Sequence, residues 1–320
     1  MGALKGVKVG PLKEAELEEA DRIFRLAFGT FIGMPNPAEF MSGRNLLISR
    51  WHAPHVKALA ARVDGRLIGI NMLTRWGSFA FFGPLTILPE YWDRGIAQQL
   101  LDATVKIFDK QGLKRTALFT FPHSTKHVGL YQKFGYWPGY LTALMRREPS
   151  EEAAPPAGNT RVVHLTTLAK RERAEAIAAC GRRTGKIDKG LDLGDEIRAL
   201  LKQKTGEVVL TYTRNALDGF AICLNGPGSE GGPDLCYIKF AAARSGQGAG
   251  ERFDALLDAC DAFALSRGAS IEAGMNLAHE DAFRRMRAHG YRAFAQGVAM
   301  QRPHQAGHNR ADVYVMDDWR

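Results

Sequence analysis

Cysteine and long apolar runs are both scarce in this sequence. The four cysteines, Cys180, Cys223, Cys236 and Cys260, all lie in the second half, and they form neither a CxxC pair nor a zinc-like spacing with histidine. This arrangement predicts reduced, mostly buried thiols and no metal site. The amino-terminal residues lack the apolar segment of a secretory signal, and the longest apolar run, residues 79–88, is too short to span a bilayer. We therefore expect a cytoplasmic protein without a membrane partner.

The charge of the chain is basic but evenly spread. Lysine and arginine number 43 against 34 aspartate and glutamate residues, which gives a formal net charge of +9. A basic surface suits anionic ligands. Because blocks of about five or six like charges are missing, we expect a solvated basic surface rather than a nucleic-acid patch. The 320 residues are enough for two domains that each bury a core.

Strand and helix patterns recur in the same order in the two halves. Three landmarks mark the recurrence: a glycine in a hairpin turn, a glycine at a helix start, and a glycine-aromatic pair. They are Gly65, Gly95 and Gly135-Tyr136 in the first half, and Gly219, Gly248 and Gly290-Tyr291 in the second. The first interval is 30 positions in one half and 29 in the other, and the second is 40 and 42. This spacing predicts two copies of one α/β domain.

The repeat divides the chain into four parts. We predict an N-terminal domain over residues 1–148 and a C-terminal domain over residues 161–303. Residues 149–160, rich in proline, alanine and acidic residues, are typical of a semi-stiff linker. Residues 304–320 end in an alternating apolar pattern, which predicts a docked strand rather than a disordered tail.

The stretch Leu85–Leu101, LTILPEYWDRGIAQQLL, combines an apolar strand, a turn and a helix start. The turn carries Arg94 and Gly95, and the helical pattern continues to Lys110. The first turn of a helix has unpaired backbone N–H groups and a partial positive charge, so it can bind an anion. Two interpretations remain on these residues alone: the diphosphate site of a nucleotide-like cofactor, or an ordinary strand-to-helix turn.

The combination of LPEYWDRGIAQQLL with LYQKFGYWP resembles the GNAT N-acetyltransferases. The cofactor loop of that family is usually Gln/Arg-x-x-Gly-x-Gly/Ala, and Gly95-Ile96-Ala97 fits its second half, with Trp92 at the usual basic or amide position. In the second half of the chain Gly248-Ala249-Gly250 fits, with Ser245 at that position. The resemblance covers residues 5–147 and 161–302. It implies two tandem GNAT-like domains, each a mixed, mostly antiparallel twisted sheet flanked by helices.

The resemblance also implies acetyl-CoA as the cosubstrate, without a metal. The diphosphate would lie on the loop and the following N–H groups, and the pantetheine arm would run beside the preceding strand. Ser124 stands near a position that often holds a cofactor-binding asparagine. The implied cofactor residues are Thr86, Ile87, Leu88, Asp93, Arg94, Gly95, Ile96, Ala97, Gln98 and Ser124, with Gly246, Gly248, Ala249 and Gly250 as a second loop in the C-terminal domain.

By the same resemblance, Tyr131 in LYQKFGY stands where family members place a tyrosine general acid. A phenol can protonate a leaving thiolate, whereas Met286 at the equivalent place in the second half cannot. We therefore predict a catalytic first domain and a degenerate second one. For the general base, His123 is one candidate and a chain of water molecules is the other.

These observations predict an acetyl-CoA-dependent N-acetyltransferase that acts by direct transfer to a primary amine. Two alternatives stay open: an inactive acyl-CoA-binding sensor, and a related aminoacyl or peptidyl transferase. The aromatic and proline-containing segment 31–51 is expected to shape the acceptor pocket. The sequence names neither the acceptor nor the oligomeric state.

Overall fold

The computed structural model describes residue 4 and residues 6–149 and 159–320. Most of the predicted linker, residues 150–158, therefore lies outside the described residues. The strands are β1 Lys8–Pro11, β2 Val56–Val63, β3 Arg66–Trp76, β4 Phe79–Ile87, β5 Arg115–Thr120, β6 Trp137–Arg147, β7 Thr160–His164, β8 Gly206–Thr213, β9 Ala216–Gly226, β10 Gly232–Ala243, β11 Ser270–Asn276, β12 Arg292–Arg302 and β13 Val315–Met316.

The helices lie between these strands in the predicted order. They are α1 Leu17–Phe31, α2 Leu46–Trp51, α3 Ile96–Lys110, α4 Thr125–Gln132, α5 Lys170–Ile187, α6 Gly194–Gln203, α7 Ala249–Ser266 and α8 Glu280–Ala288. Helix α1 buries Ala20, Ile23, Phe24 and Ala27 on one face, as its spacing of apolar residues predicts. Helix α2 was not predicted, because its six residues are too few to show a period.

The strands form one continuous sheet in the order β1-β2-β3-β4-β5-β12-β6-β11-β10-β9-β8-β7, with β13 paired to β10. Only the β4–β5 and β10–β11 pairs of the described chain are parallel. The prediction of mixed, mostly antiparallel sheets flanked by helices is therefore confirmed. The two predicted sheets are joined into one.

The joining results from an exchange of strands between the halves. Strand β6, the last of the first half, pairs with β11 and β12, and strand β12, the last of the second half, pairs with β5. Counted inward from either edge, the sheet therefore contains the first five strands of one half, followed by the final strand of the other half. Such an exchange buries the edge strands of both halves at the centre of the molecule.

One of the three landmarks of the repeat was assigned to the wrong residue. The hairpin turn of the second half lies at Arg214, which has a left-handed backbone, and not at Gly219. Gly219 lies inside β9 and is the counterpart of Gly69. Each of the two glycines forms the pair next to the register shift of its hairpin. Gly69 pairs with Ile87, as Gly219 pairs with Ala243. The order of elements still supports the repeat.

A buried cluster of charged side chains joins the halves. The guanidinium of Arg50 lies 2.6 Å from the carboxylate of Glu230, which also contacts Lys239. Lys239 lies 3.3 Å from Glu196, and Glu196 lies 2.9 Å from the ring of His55. Each carboxylate thus has two basic partners, which offsets the cost of burying its charge.

All four cysteines are free and buried. None of the helices in the described part of the chain is long and apolar enough to cross a lipid bilayer. Within the same residues, histidine, cysteine and acidic side chains do not come together in threes in a way that could hold a metal ion.

Candidate active site

A cavity of about 1140 Å³ opens where β4 and β5 diverge. The two strands pair only as far as Phe81 and Ala117. Beyond that point β4 continues its pairing with β3 as far as Ile87, so the other edge of residues 82–87 is left without a neighbouring strand. The hydroxyl of Thr86 is buried there and has no hydrogen-bond partner within the described chain. This free edge offers backbone groups to an extended ligand.

The turn between β4 and α3 forms one end of the cavity. Gly95 caps α3 with a φ of 75°, a left-handed conformation that favours glycine. The indole N–H of Trp92 donates to the carbonyl of Ile87 at 2.8 Å, and Asp93 forms an ion pair with Lys126 at the start of α4. Trp92, which stands at the usual basic or amide position, therefore fixes the turn to β4 through this hydrogen bond, which we call the Trp92 brace. The N–H groups of the first α3 turn face a ligand that lies here.

The structure brings together most of the residues that were predicted to bind the cofactor. Those that line the cavity are Thr86, Ile87, Asp93, Gly95, Ile96, Ala97 and Gln98. The side chains of Leu88, Arg94 and Ser124 lie elsewhere. Leu88 is in the core, Arg94 lies 5.4 Å from the ring of Tyr91, and Ser124 caps α4 by accepting a hydrogen bond from the N–H of His127.

Tyr131 projects from α4 into the cavity and is 7% exposed. Burial raises the pKa of Tyr131 to about 12, an effect that a hydrogen bond with Thr120 opposes. The phenol is therefore protonated at neutral pH. The carbonyl of Tyr131 accepts a hydrogen bond from the N–H of Tyr136, and that of Met286 accepts one from Tyr291, so Met286 is its structural counterpart.

His123 is exposed and lies outside the cavity lining, whereas His127 is part of it. His127 and Tyr131 are four residues apart on α4 and so share a helix face. The Nδ1 atom of His127 is buried, with no hydrogen-bond partner among the described residues. Burial, with smaller effects of Lys126 and His123, lowers the pKa of His127. The helical spacing to Tyr131 was the signal in the sequence that could have found it.

The opposite side of the cavity is built by residues that sequence reasoning missed. Strand exchange brings Arg146 of β6 and Phe294 of β12 to this side, and Phe294 is the extra residue of a bulge in β12. The remaining lining residues of the second half are Glu230, Tyr237, Glu272, Ala295, Trp319 and Arg320. Segment 31–51 contributes Phe31, Phe40, Met41 and Arg44, among others.

The corresponding place in the second half is filled by the chain itself. Strand β13 pairs with Ala241 and Ala242 of β10, the counterparts of Leu85 and Thr86. The tail thus lies in the space between β10 and β11, where the first half has its cavity. Within residues 304–320, which were predicted to form a docked strand, Val315–Met316 is the part that pairs with the sheet.

The second glycine loop is also covered. Gly248 caps α7 as Gly95 caps α3, but the guanidinium of Arg285 packs directly on Gly250. Arg285 is held there by Asp254 at 2.5 Å and Asp281 at 2.8 Å. The side chain of Arg252 donates to the carbonyl of Gly246 at 3.3 Å and to three other carbonyls of the loop. Arg252 and Arg285 therefore contact three of the four residues that were predicted as a second cofactor loop, namely Gly246, Gly248 and Gly250.

Comparison with known proteins agrees with this geometry. Residues 20–136 match the model of the acetyltransferase (GNAT) family. No curated protein sequence matches the chain. A candidate acetyltransferase from Pyrococcus horikoshii is 17% identical, with a TM-score of 0.67 over 97% of this chain and 94% of its own. A GCN5-related N-acetyltransferase from Sphaerobacter thermophilus is 13% identical, with a TM-score of 0.61 over 93% and 96%.

A tandem GNAT protein from the clavulanic acid biosynthesis pathway is also similar in structure. It is 13% identical, with a TM-score of 0.56 over 92% of this chain and 98% of its own. At these identities the likeness shows the fold, and it extends over nearly the whole chain. Residues 20–136 therefore match the GNAT acetyltransferase family, and the chain as a whole has the fold of a tandem GNAT protein.

Proposed function

We propose that this chain is an acetyl-CoA-dependent N-acetyltransferase with one active centre, in the first half. A single contrast carries the proposal: the space between β4 and β5 is an open cavity, whereas the equivalent space between β10 and β11 holds β13. Residues 1–148 then form the catalytic domain, and residues 161–303 serve as scaffold and cavity wall. We also propose that the protein is cytoplasmic, as its sequence predicts.

The residues present fit acetyl-CoA. The first turn of α3 would receive the diphosphate, with Gly95 allowing close approach. The free edge of β4 and the unpartnered Thr86 hydroxyl suit the amide groups of a pantetheine arm. When bound there, acetyl-CoA supplies an acetyl group activated as a thioester.

Two side chains on one face of α4 would handle the protons. Acyl transfer to an amine needs a neutral amine and a proton for the departing thiolate. Tyr131 is protonated at neutral pH and donates to the sulfur. His127, whose lowered pKa keeps it neutral, accepts the proton of the amine. We assign this role to His127 in place of His123, because only His127 lines the cavity.

The test is release of free thiol from acetyl-CoA in the presence of a panel of primary amines. Tyr131→Phe should lower kcat by about a hundredfold or more, the usual contribution of a general acid. Tyr136→Phe is a matched control, because burial also raises the pKa of Tyr136 to about 12 but its hydroxyl bonds Thr116 outside the cavity. Full activity of Tyr131→Phe would refute the assignment. Binding of acetyl-CoA without thiol release from any amine would favour the sensor alternative.

A further inference from the structure

One side of the cavity is organised around the carboxylate of Glu272, whose side chain is 1% exposed. Its oxygens lie 2.6 Å from Arg320, 3.0 Å from Arg146 and 3.4 Å from Arg44. Burial alone would raise the pKa of Glu272, but the charges of Arg320 and Arg44 outweigh it and hold the pKa at about 2. Glu272 is therefore always ionised and collects three guanidinium groups at one point of the cavity wall.

Two of these guanidinium groups keep hydrogen-bond donors in reserve. A guanidinium has five N–H donors. Within the described chain the side chain of Arg44 makes one hydrogen bond, the long one to Glu272. Arg146 also makes one, and its buried Nε has no partner among the described residues. Arg320, by contrast, bonds both Glu272 and Asp318, and its Nη2, which makes no hydrogen bond within the described chain, lies 2.8 Å from the carboxylate of Asp318. Arg44 and Arg146 thus remain available to a ligand.

The backbone of Arg44 and the side chain of Arg146 are held in place before any ligand binds. The carbonyl of Arg44 accepts a hydrogen bond from Arg25 at 2.9 Å, and the N–H of the next residue, Asn45, donates to the second half at 2.8 Å. Arg146 lies on β6 directly opposite Glu272, with its guanidinium 4.8 Å from the ring of Phe294. Such positioning reduces the entropy lost on binding.

The charge balance of this wall indicates the kind of ligand. The side chains of Arg44, Arg146 and Arg320 stand against the side-chain carboxylates of Glu272 and Asp318, which leaves one positive side-chain charge. Glu230, on the same wall, is already neutralised by Arg50 and Lys239. One positive charge matches a carboxylate, whereas a phosphate would bring about −1.5 to −2. A carboxylate also matches the planar fork of a guanidinium.

We propose that the acceptor amine carries a carboxylate, as an amino acid does, and that Arg44 and Arg146 bind this carboxylate. The inference rests on the proposed function and names its substrate class. Apolar walls at Phe28, Phe31 and Phe40 leave room for an uncharged side chain.

The experiment compares L-amino acids with the amines that lack their carboxylate, in the thiol-release assay with the full chain. Suitable pairs are phenylalanine with phenethylamine, leucine with isoamylamine and lysine with cadaverine, and O-phosphoethanolamine represents a phosphate. We expect a kcat/KM at least about tenfold higher for the amino acid of a pair that is accepted, as for a hydrogen bond to a charged group.

Substitution of the two arginines tests the binding role directly. Arg44→Gln and Arg146→Gln should each raise KM for the amino acid about tenfold with little change in kcat. Their effect on carboxylate-free amines should be small. Arg171→Gln is a matched control, since Arg171 is 92% exposed on α5 and makes only a surface ion pair.

The outcomes separate this inference from the proposed function. Equal use of both members of every pair, preference for O-phosphoethanolamine, or the same loss for both members in the variants would overturn the inference and leave the acetyltransferase intact. Failure of every amine to release thiol would refute the proposed function. In that case calorimetry with N-acetyl-L-amino acids in the presence of coenzyme A still tests the carboxylate site. Binding to the parent chain that the arginine variants lose would support the site. Absence of binding to the parent chain would overturn it.

Discussion

The indole N–H of Trp92 donates a hydrogen bond to the carbonyl of Ile87 at 2.8 Å, across the turn that joins β4 to α3. The bond holds the first α3 turn at a fixed distance from the free edge of β4, so it links the two places at which a cofactor would be bound. Trp92 was the one residue of the loop without an explanation in the sequence.

Trp92→Phe keeps an aromatic ring but removes the donor. We expect the KM for acetyl-CoA to rise about fivefold with kcat nearly unchanged, because one hydrogen bond of about 1 kcal/mol is lost from a site that binds cofactor before reaction. Steady-state kinetics with acetyl-CoA as the varied substrate provide the measurement. Trp137→Phe, half exposed on β6, should leave KM unaltered. An unchanged KM in Trp92→Phe would show that the Trp92 brace is dispensable.

The lowered pKa of His127 predicts an acid limit to activity. A base must be neutral, and protonation of His127 begins only as pH falls below its ordinary value of about 6.5. Activity should therefore decline below that pH. The pKa of about 12 at Tyr131 predicts no corresponding alkaline decline from this residue below about pH 10.

The ratio of kcat/KM between His127→Gln and the parent chain isolates this effect, because ionisation of the amine cancels in the ratio. The ratio should be lowest at neutral pH and rise toward one as the pH falls well below about 6.5. His123→Gln, an exposed neighbour, should give a ratio near one at all pH values. A ratio for His127→Gln that does not vary with pH would remove the histidine from the proton pathway.

The occupied space in the second half predicts the binding stoichiometry. Strand β13 takes the place beside Ala241 and Ala242, and Arg285 covers Gly250. Titration calorimetry should therefore give one acetyl-CoA per chain. Gly95→Val, which would force a β-branched residue into a left-handed backbone, should abolish that binding. Two sites per chain, or one site that survives Gly95→Val, would place cofactor in the second half.

The buried ion pair between Arg50 and Glu230 predicts a large effect on stability. Burial would raise the pKa of Glu230, but Arg50 and Lys239 outweigh burial and lower it. Arg50→Met leaves part of that buried charge uncompensated and should lower the free energy of unfolding by about 3–5 kcal/mol. Arg171→Met, which breaks an exposed pair with Glu175, should change it by less than about 1 kcal/mol. Chemical denaturation measures both free energies of unfolding, and similar values for the two variants would show that Arg50 does not stabilise the buried charge of Glu230.

The parts of the site that could be predicted from the sequence are those whose conformation is set by residues close to them in the chain. Gly95 caps a helix that follows it directly. Tyr131 lies on a helix whose spacing of residues is visible within a short stretch of sequence. The GNAT family and the tandem fold were predicted from such local features and are confirmed. The hairpin of the second half was misplaced at Gly219, because a glycine inside a strand and a glycine in a turn look alike in one sequence.

The acceptor side of the cavity could not be predicted, because its residues meet only through the strand exchange. Arg44 and Glu272 are 228 positions apart and lie in different halves. The alternation of residues along β6 and β12 would be the same whether each strand paired within its own half or with strands of the other half. Periodicity shows which face of a strand is buried, but it does not identify the strand beside it.

The exchange of β6 and β12 also has a consequence during synthesis of the protein. Strand β5 of the first half has to wait for β12, residues 292–302, which is synthesised only after most of the second half. Until then the first half carries an open sheet edge and an incomplete cavity. The site is therefore completed only after the final strand of the second half has been made. That step depends on long-range pairing and is correspondingly slow and exposed to aggregation.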